Sequence, residues 1–79
     1  MTVNDMLEQF EIQGALRIQR WNNETDDLDV FYDTDYYEND LLGCKYEWLN
    51  KKVIYMYATT TYNKRDVEIP QLVIEVEQI

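Results

Sequence analysis

Val53-Ile54-Tyr55-Met56-Tyr57-Ala58 is the stretch that decides the fold. It carries no charge, and β-branched and aromatic side chains dominate it, which is the composition of a strand. A short apolar run without alternation is what a strand covered on both faces looks like, so this one is expected at the centre of a sheet. Downstream, Thr59 to Pro70 reads as a long polar loop or hairpin connection. Leu72, Ile74 and Val76 then alternate with Val73, Glu75 and Glu77, which predicts a last strand. Pro70 falls just before it, where a missing N–H does no harm.

Upstream, Leu16 and Ile18 alternate with Arg17 and Gln19, predicting a half-buried strand from Ala15 to Trp21. Asn22-Asn23-Glu24-Thr25-Asp26-Asp27 is a polar turn. Leu28, Val30 and Tyr32 then alternate with Asp27, Asp29, Phe31 and Asp33, so a hairpin is expected here. The acidic, aromatic segment from Asp33 to Asp40 is read as running through a helical turn into Leu41-Leu42 and breaking at Gly43. Tyr46 to Asn50 forms another short helical turn.

The chain begins with a helix signal. Thr2 caps, Asp5 reaches back, and Val3, Met6, Leu7 and Phe10 share one helical face. Gly14 marks the exit into the first strand. The fold class is therefore α+β: an N-terminal helix packed on a four-stranded, mostly antiparallel sheet whose other face stays open. At 79 residues this is one domain, residues 1–79, close to the lower limit of independent stability.

Several chemistries lack their residues. There is no histidine, the commonest general base and zinc ligand near neutral pH. Cys44 stands alone, so it has no internal disulfide partner and no histidine to activate it. Two distant glycines, Gly14 and Gly43, make neither a P-loop nor a dinucleotide fingerprint. Asp27-Leu28-Asp29 and Asp33-Thr34-Asp35 offer hard oxygen ligands, but no register places the glycine and distal glutamate of a calcium loop. No enzyme activity, metal or cofactor is expected. The lone cysteine, together with an N-terminus that has neither a basic nor an apolar leader region, points to a reducing, cytoplasmic setting.

Charge is the informative feature. The net charge is −9, and eight of the sixteen acids fall between Glu24 and Asp40 with no Lys or Arg among them. Solubility alone calls for interspersed signs rather than segregation. Strand residues two apart share a face at a spacing of about 6.6 Å, so Asp27, Asp29, Asp33 and Asp35 are expected to form a row on one face. A nucleic-acid backbone is also a row of regularly spaced negative charge. Asp27, Asp29, Asp33, Asp35, Glu38 and Asp40, with Tyr36 and Tyr37 as aromatic anchors, are thus the candidate partner-binding residues. An acidic hairpin that is merely a solvated face is the alternative.

The Thr2-Val3-Asn4-Asp5-Met6-Leu7-Glu8 start, the strand pair after it and the Tyr46-Glu47-Trp48-Leu49-Asn50-Lys51-Lys52-Val53 lead into a strand resemble small uncharacterised proteins of phages and mobile elements of Firmicutes. In its acidic character the chain also resembles anti-CRISPR proteins and other DNA mimics. The resemblance implies an inhibitor whose carboxylates stand where phosphates would on a basic nucleic-acid-binding protein, such as a CRISPR effector nuclease of a bacterial host. Neither nucleic acid nor an anionic membrane is expected to bind directly, because like charges repel. The competing expectation is a small accessory module, monomer or small homo-oligomer, that self-associates through sheet edges or a tyrosine-rich face.

Overall fold

The computed structural model describes residues 1–78. Helix α1 (Val3–Gln9) is followed by strands β1 (Gly14–Asn22), β2 (Asp27–Tyr37), β3 (Val53–Tyr62) and β4 (Glu68–Val76), with a 3-10 turn at Glu47–Asn50 before β3. The class is α+β, as the sequence implies. The sheet is mixed, however, in the order β2-β1-β4-β3. The outer pairs are antiparallel and the central pair, β1 with β4, is parallel. The fold is thus two hairpins, β1–β2 and β3–β4, joined at the middle of the sheet by the pairing of β1 with β4.

This order overturns the expectation that Val53–Ala58 is central. β3 is an edge strand, and Tyr55, Met56 and Tyr57 are exposed. The central positions belong to β1 and β4, where Leu16, Ile18, Ile74 and Val76 are fully buried. An apolar run resembles a central strand because both lack exposed polar groups, but composition does not say what covers a strand. The expected polar connection is also shorter than the sequence implies. β3 continues through Thr59–Thr61 to Tyr62, and the turn closes when Asn63 Oδ1 accepts the Arg65 and Val67 N–H groups. Pro70 lies inside β4, opposite Thr60, but one residue before β4 begins pairing with β1 at Gln71. Its missing N–H therefore costs no ladder bond.

At the N-terminus the capping box is present in both directions. Asp5 N–H donates to the Thr2 hydroxyl at 3.2 Å, and Thr2 N–H donates to the Asp5 carboxylate at 3.0 Å. Those bonds hold the Asp5 carboxyl below its ordinary pKa. Val3, Met6 and Leu7 turn inward as expected, but Phe10 does not: the helix stops at Gln9, Phe10 is extended, and its ring is exposed. Gly14, at φ +89°, makes the entry into β1 in a conformation that favours glycine.

One face of the sheet is covered. Val3, Met6 and Leu7 of α1 pack with Leu41 and Leu49 of the crossover from β2 to β3 against Leu16, Ile18, Ile74 and Val76. The chain ends lock this layer. Val3 N–H donates to the Lys51 carbonyl, Val53 N–H to the Met1 carbonyl, and Glu77 N–H to the Lys52 carbonyl. Among the described residues no helix covers the opposite face, which is held by a polar network. Arg17 Nε donates to Gln19, Gln19 to the Tyr57 hydroxyl, and Gln71 to Asp33. Both glutamines are buried and hydrogen-bonded, so the open face costs no unsatisfied amide. No helix among the described residues is long and apolar enough to cross a membrane.

Leu16 is fully buried at the meeting point of both hairpins and the helix layer. Leu16→Ala should cost about 2–5 kcal/mol, against a total of roughly 0.05–0.15 kcal/mol per residue for a small domain. Urea unfolding followed by tryptophan fluorescence should therefore show the variant largely unfolded before denaturant is added, or with its midpoint sharply lowered. A midpoint within experimental error of the parent would contradict the packing described.

Candidate functional site

β2 supplies the acidic edge, but its aspartates do not form one row. The β1–β2 register runs Asn22↔Asp27, Trp21↔Leu28, Arg20↔Asp29 and Gln19↔Val30, then slips so that Ile18 faces Tyr32 and Arg17 faces Asp33. The extra residue is Phe31, a β-bulge. It lets two consecutive aromatic rings, Phe31 and Tyr32, both pack against the core cluster. Because β1 pairs without interruption with β4 from Ala15 to Arg20, Arg17 and Arg20 point to opposite faces. Asp29 and Asp33 follow them to opposite faces. The expected alternation fails for the same reason: Leu28 and Val30 lie on the open face and are exposed, while Tyr32 lies on the covered one.

The two split aspartates are also already engaged. Asp29 accepts from Arg20 Nε at 2.9 Å and from Asn22 at 3.0 Å. The Arg20 bond, then the Asn22 bond, hold its carboxyl below the usual range. Asp33 pairs with Arg17 at 3.4 Å and accepts from Gln71 at 3.1 Å. Asn22 has a second duty. Its Oδ1 accepts the Glu24 and Thr25 N–H groups, shaping the turn in which Asp26 takes φ +56°. Asn and Asp are the side chains that suit both jobs.

Of the remaining candidates, Tyr37 is only 3% exposed and sits in the core, so it is not a surface anchor. It faces Gly14 across the ladder, where no side chain competes for the space. Tyr36, at 64% exposure, is available. The helical turn expected from Asp33 does not form before Tyr37, where β2 ends. Asp40 accepts the Tyr32 hydroxyl at 2.7 Å, which lowers its pKa, while burial and then that same carboxylate push the Tyr32 phenol upward.

Within residues 24–40 the carboxylates left without a side-chain partner fall into two groups. Glu24 and Asp26 lie at the β1–β2 turn beside Asp27, which bonds only its neighbour's N–H, and Asp35 and Glu38 lie at the far end beside Tyr36. The groups are separated by roughly 25 Å along the strand. Asp35 and Tyr36 also line a cavity of about 580 Å³ where β1 begins, between the β2 end and the β3–β4 hairpin. A second cavity, of about 250 Å³, is lined by Tyr32, Asp40, Cys44, Tyr46 and Trp48. Beside it the Phe31, Trp48 and Tyr46 rings stack at 5.8 and 5.4 Å, with the Arg20 guanidinium over the far side of Phe31. Among the described residues no three acidic or thiol groups gather as metal ligands.

The candidate set read from the sequence contains neither Glu24 and Asp26 nor the Tyr46–Trp48 stack. The first were visible as acids of the same segment. The second had no signal, because it depends on where the crossover lies under β2. No protein-family model, curated protein or solved structure matches the chain.

The depressed pKa of Asp29 fixes a pH signature. A carboxyl whose folded pKa lies below its unfolded value stabilises the fold above about pH 4, and that contribution is lost as pH falls through the folded pKa. Acidification also relieves repulsion within a chain of net charge −9, an effect of opposite sign. The difference between parent and Asp29→Asn isolates the first term. Thermal melts from about pH 7 to pH 2.5 should show the parent's advantage over Asp29→Asn shrinking as pH drops below about 4. A constant gap across the range would contradict the Arg20–Asp29 pair.

Proposed function

We propose that the protein is a non-catalytic inhibitor that occupies the basic nucleic-acid-binding surface of another protein in a bacterial cytoplasm, its carboxylates standing where phosphates would. The observation that carries this reading is the way charge divides along the chain. Residues 51–79 hold four bases (Lys51, Lys52, Lys64, Arg65) and four acids (Asp66, Glu68, Glu75, Glu77), so the whole net charge of −9 resides in residues 1–50. Within that half, the carboxylates of the described residues that have no bonding partner are Glu24, Asp26, Asp35 and Glu38, which border the outer edge of β2 with Asp27 beside them, and Glu47, in the turn before β3. This moves the contact set away from Asp29 and Asp33, which serve the fold. The cavity holding Asp40 and the Tyr46–Trp48 rings supplies an anchor point, since a carboxylate beside aromatic rings suits a Lys or Arg side chain. The phage-like character of the sequence nominates the target class, a CRISPR effector nuclease.

The test separates placed charge from total charge. One variant carries Glu24→Gln, Asp26→Asn, Asp27→Asn, Asp35→Asn and Glu38→Gln. The control neutralises five acids elsewhere: Glu8, Glu11, Glu47, Glu68 and Glu75, each to Gln. Competition with DNA for a basic nuclease, read by fluorescence anisotropy, should show the first variant weakened at least about tenfold and the control little changed. Parent affinity should fall as salt rises, because screening acts on exposed charge. Equal losses in the two variants would assign the effect to net charge alone, and no loss in the first would sink the proposal.

A further inference from the structure

β3 differs from every other part of the surface. It is ten residues long, it is a sheet edge, and none of its side chains is charged. Ile54, Tyr55, Met56, Tyr57 and Tyr62 are all among the chain's exposed large apolar residues. The start of β3 is covered, because Val53 N–H donates to the Met1 carbonyl and Val3 N–H to the Lys51 carbonyl, but from Tyr55 to Tyr62 the outer side presents a row of unpaired N–H and C=O groups, and monomeric proteins blunt such edges with charges, prolines or bulges. The other edge, β2, is blunted in that way: it has two register breaks and four aspartates. β3 has a single break, at Ile54, and pairs regularly with β4 from Tyr55 to Tyr62. The chain guards one of its edges along its length and leaves the other open from Tyr55 to Tyr62.

From this we infer that β3 pairs with β3 of a second copy, antiparallel, about a two-fold axis normal to the sheet, giving one continuous eight-stranded sheet. Charge selects a second copy over another occupant. A chain of net charge −9 resists meeting itself almost anywhere. Residues 51–79 are the exception, with four charges of each sign. Both ends of β3 are mixed in sign as well: Lys51 and Lys52 precede it, with Glu77 bonded to the Lys52 backbone, and Lys64, Arg65, Asp66 and Glu68 lie at the turn into β4. Antiparallel pairing brings one mixed end against the other, so neither copy faces a block of like charge. A strongly basic or acidic foreign strand would find no complement along a row of uncharged residues. Head-to-tail pairing with β2 would have to accommodate that strand's bulges.

The two-fold axis also keeps like faces together. Both α1 layers would lie on one side, and the exposed Phe10 and Met56, which line one mainly apolar hollow with Met6, Leu72, Glu11 and Gln13, would extend across the junction. Both acidic β2 edges would then sit at the far ends of the assembly. The inference does not depend on what those edges bind.

Sedimentation equilibrium of the whole chain from about 1 µM to about 1 mM tests it. The expected result is a mass rising from 9.6 kDa to twice that value, with an association that holds or tightens as salt is added. Tyr55→Lys with Thr59→Lys, which places charge on the open edge, should hold the protein at the single-chain mass with an unchanged circular dichroism spectrum. Hydrogen exchange supplies a readout that needs no variant: the amides of Tyr55–Tyr62 that point away from β4 should lose protection on dilution while those of Leu16–Arg20 keep theirs. A single-chain mass throughout, a dimer that salt dissociates, a double-lysine variant as associated as the parent, or β3 protection independent of concentration would each overturn the inference.

Discussion

The parallel ladder between β1 and β4 is the constraint on which the rest of the molecule depends. Each hairpin is local and could form from its own turn. Neither could bury its apolar side alone, because an isolated two-stranded hairpin is marginal in water. Laying Leu16 and Ile18 beside Leu72 and Ile74 in parallel register makes one sheet from two hairpins and gives α1 a surface to cover. It also sends β2 and β3 to opposite edges. An acidic strand and an uncharged, tyrosine-rich strand are thereby kept apart, which adjacent placement in an antiparallel meander would not do.

The local signals of the sequence carried well. The capping box at Thr2 and Asp5, the glycine entry to β1, the turn at Asn22 to Asp27 and the short helical turn before β3 are all fixed by residues within a few positions of one another. What did not carry is decided by distant contacts. Whether Val53–Ala58 is central or peripheral depends on which strand β4 chooses as its second partner. Whether Asp29 and Asp33 share a face depends on a single bulge at Phe31, whose cause is a core that accepts two neighbouring rings. A slip of one residue exchanges every side chain between faces, so an error there spreads through the predicted site.

The same slip shows why an acidic stretch is not in itself a binding surface. Asp29 and Asp33 look equivalent to Asp27 and Asp35 in the sequence, yet the first two neutralise Arg20 and Arg17 and tie β2 to β1. Tyr37 looks equivalent to Tyr36 but fills the core. What remains outward is a smaller set, Glu24, Asp26, Asp27, Asp35, Tyr36 and Glu38, at the two ends of one edge. In a domain of this size few residues are spare, and the structural ones have to be subtracted before the functional ones can be seen.

The most direct test of this arrangement is the pattern of backbone NOEs across the centre of the sheet in the isotopically labelled protein. The account predicts parallel-type contacts between Leu16–Arg20 of β1 and Leu72–Val76 of β4, antiparallel-type contacts of β4 with β3, and none between β1 and β3. Antiparallel NOEs linking β1 directly to Val53–Ala58 would put the tyrosine strand back at the centre, and would remove both the open edge and the separation of charge from it.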